Sequence, residues 1–395
     1  MGRALSLRVT WPAFVALAAC VVVPGGLLSS GWRGDVLYYS HVGSRIVHGG
    51  VPYHDFYLEY PPGAIPVFAL PSLVSQHHYF LTFKLLMALC AAVAAVAGMV
   101  VLVRTGADRA TLLRAGAILG LAPLLLGPLF LNRYDVWPAM LLALALLALV
   151  ADRPRTGFAL LAVASVAKIY PLAAVPVAAV HVLRRRGPGE LGRSLAVFVL
   201  VGLAFVVPFA AVGFGGLGYS FYIQATRHLQ VESLGSQLLV VLDHLGLYRA
   251  KVVVGKPGSF DLAGRAAAAV GFVSSVIEVV AVLLVALWYL RGRHDARRLV
   301  LALATAVVAF VAFGKVLSPQ YLVWLIPLVP LVAGGAGAVA SSMLVAALVM
   351  TQLLFYDSDG VSNLSPISWL VLARNLVLVA IFAVLARSLT RDAAT

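Results

Sequence analysis

Charged side chains are scarce in this chain: they make up 11% of its 395 residues, against 62% hydrophobic. That scarcity excludes a soluble globule, whose surface could not be built from so little, and points to an integral membrane protein. Acidic groups are the scarcer kind, 15 against 29 basic, and no cluster of them demands a divalent metal. Cysteine is nearly absent. Cys20 and Cys90 both lie within apolar runs, where a thiol behaves as a small buried hydrophobe, and they form neither a disulfide framework nor a metal spacing.

What is abundant is apolar sequence in long runs, with a mean hydropathy of +1.00. The formal charge of +14 suggests a nucleic-acid partner until its distribution is traced. The arginines gather at helix ends that share one side: Arg3 and Arg8; Arg104, Arg109 and Arg114; Arg153 and Arg155; Arg184, Arg185, Arg186 and Arg193; Arg291 to Arg298; Arg387 and Arg391. That is the positive-inside pattern, with anionic membrane lipid as the contact and no nucleic acid.

The first apolar run, residues 11 to 31, follows two arginines. LAAC at 17 to 20 resembles a lipoprotein cleavage box, but VVVPGGLL continues the run, so an uncleaved anchor is expected. Residues 32 to 78 then lie outside. Spans are expected at 79–103, 115–131 and 136–151, with a short outer turn at Asn132, Arg133, Tyr134 and Asp135. Residues 156–183 lie between two basic clusters on one side, yet these roughly 28 residues are too few for two full helices at 1.5 Å per residue. Two short helices meeting at Lys168-Ile169-Tyr170-Pro171 are predicted, with Lys168 near a protein-lined cavity. Further spans follow at 194–213, 266–290, 299–314, 321–333, 338–356 and 367–387, and 214 to 265 forms a second large outer segment. The chain reads as one domain over 1–395: an all-α polytopic bundle of about twelve transmembrane helices with interfacial helices on its outer face.

Residues 32 to 62, WRGDVLYYSHVGSRIVHGGVPYHDFYLEYPP, concentrate polar and aromatic groups in an otherwise apolar chain. Val36, Tyr39, Val42, Gly43, Ile46 and Val47 recur at helical spacing opposite Ser40, His41, Ser44, Arg45 and His48, which predicts an amphipathic helix stopped by Gly49 and Gly50. Asp35 immediately precedes it and suits either a helix cap or a general base at the outer surface. Asp55 and Glu59 are suited to binding hydroxyls, to holding a cation, or to simple solvation. Arg227, His228, Gln230 and Glu232 suit an anionic, hydrogen-bonding ligand or a lipid headgroup. Arg133, Lys168 and Lys315 all fall at the outer surface, where converging cations would hold a lipid-linked phosphate and single ones would merely snorkel. Glu278 and Arg374 lie within spans, and mutual pairing or a structural hydrogen bond is expected of them. Trp137, Tyr321 and Trp324 fit the interfacial aromatic belt.

Several short pieces occur in order along nearly the whole chain: GDVLYY from Gly34, GGVPYHDF from Gly49, EYPPG from Glu59, AKIYPL from Ala167, RHLQVES from Arg227 and SPQYLVW from Ser318. Together they resemble the GT-C class of polytopic glycosyltransferases, and within it glycosyltransferase family 87, which includes polyprenyl-phosphate-mannose-dependent mannosyltransferases and arabinofuranosyltransferases. The resemblance implies a polyprenyl-phosphate sugar donor, a glycolipid or glycan acceptor on the extracytoplasmic side of the cell membrane, inversion at the anomeric carbon, and no cofactor. It implies Asp35 as base and Arg227 and His228 at the donor phosphate, and the topology adds Lys168 and Lys315 to that site. Acceptor and sugar contacts are expected from Tyr38, His41, Asp55, Glu59, Gln230, Glu232 and Gln320, with no metal ligands. The rival reading is a transporter or lipid flippase, against which stand the absence of an internal repeat and the collection of polar residues on the outer face.

Overall fold

The computed structural model describes residues 34–255 and 258–391. The run at 11–31, its preceding arginines, the LAAC box and Cys20 lie outside the described residues. Helix α1 (Val36–Val47) buries Val36, Tyr39, Val42 and Gly43 and leaves His41, Arg45 and His48 exposed, the division its helical spacing predicts. It stops at the glycine pair, with Gly49 at φ +90°. Helix α2 (Ile65–Val74) packs on α1, and α3 (Tyr79–Arg104) runs to the opposite end of the bundle. Helix α4 (Arg109–Leu126) begins six residues before the span expected there, because the Asp108 carboxylate caps it by accepting from the Thr111 amide at 3.0 Å. A single turn at Pro128–Leu131 and the expected outer turn lead to α5 (Val136–Val150).

The break predicted from the shortage of residues is present. Helix α6 (Pro154–Ala167) ends, Lys168 takes an extended backbone (φ −159°, ψ 144°), a 3-10 turn follows over Tyr170–Ala174, and α7 (Val175–Ala225) begins. Helix α7 reaches beyond the 194–213 span. At 1.5 Å per residue its length of roughly 75 Å is too great for one crossing, and Gly187 breaks it (φ 81°, ψ 174°) at the Arg184–Arg186 cluster. Its part beyond Pro188 runs along α6, with Phe198 edge-on to Phe158.

The outer segment after α7 is not purely helical. A three-stranded antiparallel sheet, order β1-β3-β2, is formed by β1 (Leu229–Gln230), β2 (Val252–Val254) and β3 (Phe260–Leu262), with α8 (Leu234–His244) beside it. Helices α9 (Arg265–Leu290) and α10 (Ala296–Phe313) follow, and α10 is the central rod, buried over nearly its whole length. The return at 321–333 is not an α-helix. Pro319–Trp324 and Val329–Leu331 are 3-10 turns, and every residue from Tyr321 to Val332 is buried. A 3-10 winding rises about 2.0 Å per residue against about 1.5 Å for an α-helix, so the 3-10 turns let this short stretch reach further than the same number of α-helical residues would. Burial in protein is what makes such backbone tolerable at membrane depth. Helices α11 (Gly334–Tyr356) and α12 (Ser368–Arg391) complete the bundle. Among the described residues seven helical stretches are long and apolar enough to cross a membrane, and four shorter apolar ones accompany them.

One end of the bundle is knitted by arginines. Arg155 grips Glu190 through two contacts of 2.8 Å, Arg186 pairs with Asp152, Arg297 donates to the Thr105 carbonyl at 2.7 Å, and Arg114 to the Val332 carbonyl at 2.6 Å. The loops predicted to share the cytoplasmic side therefore meet, and the polar residues of the 32–62 stretch lie at the other end.

Candidate active site

Asp35 stands at the first turn of α1 but makes no capping hydrogen bond there. Its carboxylate instead forms an ion pair with Arg133 of the outer turn between the Pro128–Leu131 turn and α5. The capping role open to Asp35 is thus not taken up. Burial pushes the Arg133 guanidinium down to about 10, with Asp135 acting the other way, so it is cationic at neutral pH.

Two residues on, Asp135 is only 1% exposed, and its Oδ1 accepts from Lys168 Nζ at 2.6 Å and from Trp324 Nε1 at 2.8 Å. The ammonium sits over three rings, 4.8 Å from Tyr134, 5.2 Å from Trp324 and 5.4 Å from Tyr321. Tyr170 and Tyr321 stack on either neighbour contact of Trp324, at 4.0 and 3.9 Å between ring centroids. Trp324 and Tyr321 are thus interior residues, not members of a lipid-facing belt: the 3-10 crossing that carries them is enclosed by protein. Trp137 likewise donates inward, to the Gly63 carbonyl at 3.1 Å. Desolvation lowers the Lys168 ammonium below its ordinary value, opposed chiefly by Asp135, while Arg133 and Arg227 add to the lowering.

Glu59 completes the group. Its backbone carbonyl is fixed by Ser220 Oγ at 2.8 Å and Gln224 Nε2 at 3.4 Å, both from the outer end of α7. Burial pushes its carboxyl up to about 7, against the pull of Arg227 and Lys168. Tyr38 lies beside it, its phenol raised by burial and by the Glu59 charge. Lys315 donates to the Ala225 carbonyl at 3.1 Å, and its ammonium is lowered by burial, with Glu278 opposing and Arg227 reinforcing. Arg227 is half-buried and within electrostatic reach of Glu59, Lys168 and Lys315. His228 is exposed next to it.

Asp35, Tyr38, Glu59, Lys168, Arg227 and Lys315 are therefore brought to one end of the bundle. Others have different surroundings. Asp55 is exposed and closes its own loop, accepting from the Val51 amide and contacting His54 Nδ1, both at 2.7 Å. That amide bond, then His54, holds its carboxyl below the usual range. His41 is on the exposed face of α1, and Gln320 is half-buried in the 3-10 turn. Gln230 is exchanged with Ser318 at 3.1 and 3.3 Å, tying β1 to the 3-10 crossing. Glu232 receives Arg374 Nη1 at 2.8 Å, and its carbonyl receives Arg374 Nη2 and Asn375 Nδ2 at 3.0 and 2.9 Å. Of the two expectations for Arg374, pairing with Glu278 or a structural hydrogen bond, the second is the one present. Arg374 sits within two turns of the outer end of α12, level with Glu232, while Glu278 faces Lys315. Asp135 is the residue that reading the sequence passes over, since nothing local separates it from an ordinary turn aspartate.

This bundle, with its polar cluster at one end, is that of a polytopic GT-C membrane glycosyltransferase. The family model for glycosyltransferase family 87 matches residues 57–319, about two thirds of the chain, and the chain belongs to that family. A model described as mannosyltransferase (PIG-M) matches residues 259–387. Among solved structures the chain is similar to ArnT from Cupriavidus metallidurans bound to undecaprenyl phosphate, at 16% identity over 99% of this chain and 78% of that one, with a TM-score of 0.52. It is also similar to the arabinosyltransferase EmbB from Mycobacterium smegmatis, at 16% identity over 98% of this chain and 42% of that one, with a TM-score of 0.43. No curated protein matches the chain.

Proposed function

We propose that the protein is an inverting glycosyltransferase that moves a sugar, mannose, from a polyprenyl-phosphate donor to a lipid or glycan acceptor on the extracytoplasmic face of the cell membrane. Membership of family 87 and the mannosyltransferase match support the sugar chemistry. A fold neighbour bound to undecaprenyl phosphate supports the donor class. The observation that carries the reading is that the Asp35 carboxylate pairs with Arg133, that Arg133 and Arg227 lie within electrostatic reach of Lys168, and that Arg227 lies within reach of Lys315.

In this mechanism the acceptor hydroxyl oxygen bonds to the anomeric carbon as the bond from that carbon to the phosphate oxygen breaks. The bonding pair leaves with the polyprenyl phosphate, and the hydroxyl proton passes to Asp35. One carboxylate suffices, because the leaving group needs its charge stabilised more than it needs a proton. Lys168, Arg227 and Lys315 supply that stabilisation, with His228 at the rim. Arg133 bridges base and phosphate, so the arriving phosphate gives its guanidinium a second anion. Tyr38, Glu59 and Gln320 border the sugar. No metal or cofactor enters this scheme.

The test supplies the purified protein with polyprenyl-phosphate mannose and candidate acceptors. Asp35→Asn is expected to lower kcat by about 100-fold or more, with donor KM little changed. Undiminished transfer removes Asp35 as base, and no transfer by wild type with any polyprenyl-phosphate sugar removes the donor class.

A further inference from the structure

The Asp135–Lys168 contact is a poor device for stability alone. Both partners are taken out of water, and a buried ion pair rarely outweighs an apolar replacement of the same size. The pair is also lopsided. Oδ1 takes both donors, while Oδ2 is buried and accepts no hydrogen bond from the described residues. A carboxylate kept only to brace three segments would be better satisfied on both oxygens.

Its effect falls on Lys168. That lysine follows the end of α6 on an extended backbone, so no helix fixes the direction of its side chain. Asp135 and the ring faces of Tyr134, Tyr321 and Trp324 do so instead. The other charges about it are Arg133 and Arg227, which oppose a charged ammonium, and Glu59, which favours one. Asp135 is the carboxylate in direct contact.

We infer that Asp135 is a positioning residue: through its direct contact it holds the Lys168 side chain in place, within electrostatic reach of Arg227 and Glu59, so that the ammonium is ready for the phosphate of the lipid-linked donor. The inference rests on the reading of Lys168 as a phosphate-binding cation. Asp135 itself does not touch the reacting atoms, and its influence passes through Lys168.

Three measurements on the full-length protein in detergent test it. The first is competitive acetylation of Lys168 against pH, read by peptide mass spectrometry and requiring no substrate. Asp135→Asn should move the midpoint to lower pH. The second is binding of polyprenyl phosphate without sugar, expected to weaken about tenfold or more in Asp135→Asn. The third is the pH profile of kcat/KM, whose alkaline limb should move the same way as the acetylation midpoint. Should Asp135→Asn not fold, Asp135→Ala leaves room for water around the ammonium and is read identically. An unmoved acetylation midpoint, or phosphate binding equal to wild type in a folded variant, overturns the inference. Absence of transfer by wild type instead sinks the donor reading and leaves the acetylation result standing.

Discussion

Glu59 is half-buried between an α7 that holds its backbone and cations that face its side chain. An unfolded chain would release its proton near the ordinary glutamate value of 4.5, whereas the folded protein holds it to about 7. Between those values the folded state binds a proton that the unfolded state has lost, so rising pH destabilises the fold there, and the full cost is reached above about 7. Glu59→Gln abolishes that dependence. Its melting temperature relative to wild type should rise by roughly 1–2 °C between about pH 5 and pH 8, allowing for screening at a half-exposed site. A gap that is the same at both pH values would mean that Glu59 is ionised throughout. At this scale the sequence was informative about types and poor about partners. Asp35 stands out because it immediately precedes the first outer helix, and no local pattern shows that Arg133 is the residue it pairs with. Arg374 is paired with Glu232, 142 positions away, and no local pattern encodes such a meeting. Asp135 went unnoticed for the same reason, since both donors to its Oδ1 come from remote segments.

Elements are brought together here by close backbone approach, as expected where lipid offers no hydrophobic drive for helices to associate. Gly216 of α7 lies against the Tyr53 carbonyl of the Val51–Phe56 loop, so closely that a Cβ would overlap it, while at Gly215 a Cβ meets nothing within 4 Å. Helix propensity alone favours alanine over glycine by about 1 kcal/mol at both positions. Opposite signs are therefore expected: Gly215→Ala neutral or stabilising, Gly216→Ala destabilising and weakening transfer, since the loop it displaces leads into Glu59. Thermal unfolding and turnover of the two variants side by side check this, and equal behaviour would show that the loop is not held by α7. Gly63 makes a similar approach to α6, where a Cβ would lie 2.6 Å from the Ala167 nitrogen, next to Lys168. Some of this architecture was legible beforehand. The amphipathic α1 followed from its period, and the break at Lys168 followed from counting residues between two basic clusters that must share a side. The 3-10 crossing from Pro319 was not, because an apolar stretch reads the same whether it winds as α or 3-10. Only its enclosure by protein permits the tighter winding.

For the whole molecule the decisive matter is which side of the membrane holds the site. The arginine-knitted end and the end bearing Asp35, Glu59 and Lys168 are opposite, and the proposed reaction, with the positive-inside rule, expects the first in the cytoplasm. His54 is exposed at the end bearing the site and Arg293 at the arginine end. In a background with Cys20 and Cys90 replaced by alanine, His54→Cys should react with a membrane-impermeant maleimide in intact cells, and Arg293→Cys only after permeabilisation. The reverse pattern would turn the site toward the cytoplasm and defeat an extracytoplasmic reaction, while leaving the family and the chemistry of the site untouched. The two outcomes differ in what must cross the membrane. With the site outside, a sugar reaches it already attached to a lipid, and the bundle needs only to grip a phosphate at the surface, the role proposed for Lys168, Arg227 and Lys315. With the site inside, water-soluble activated sugars would serve equally well, and desolvating an ammonium such as that of Lys168 at the membrane surface would not be called for by a lipid-linked donor.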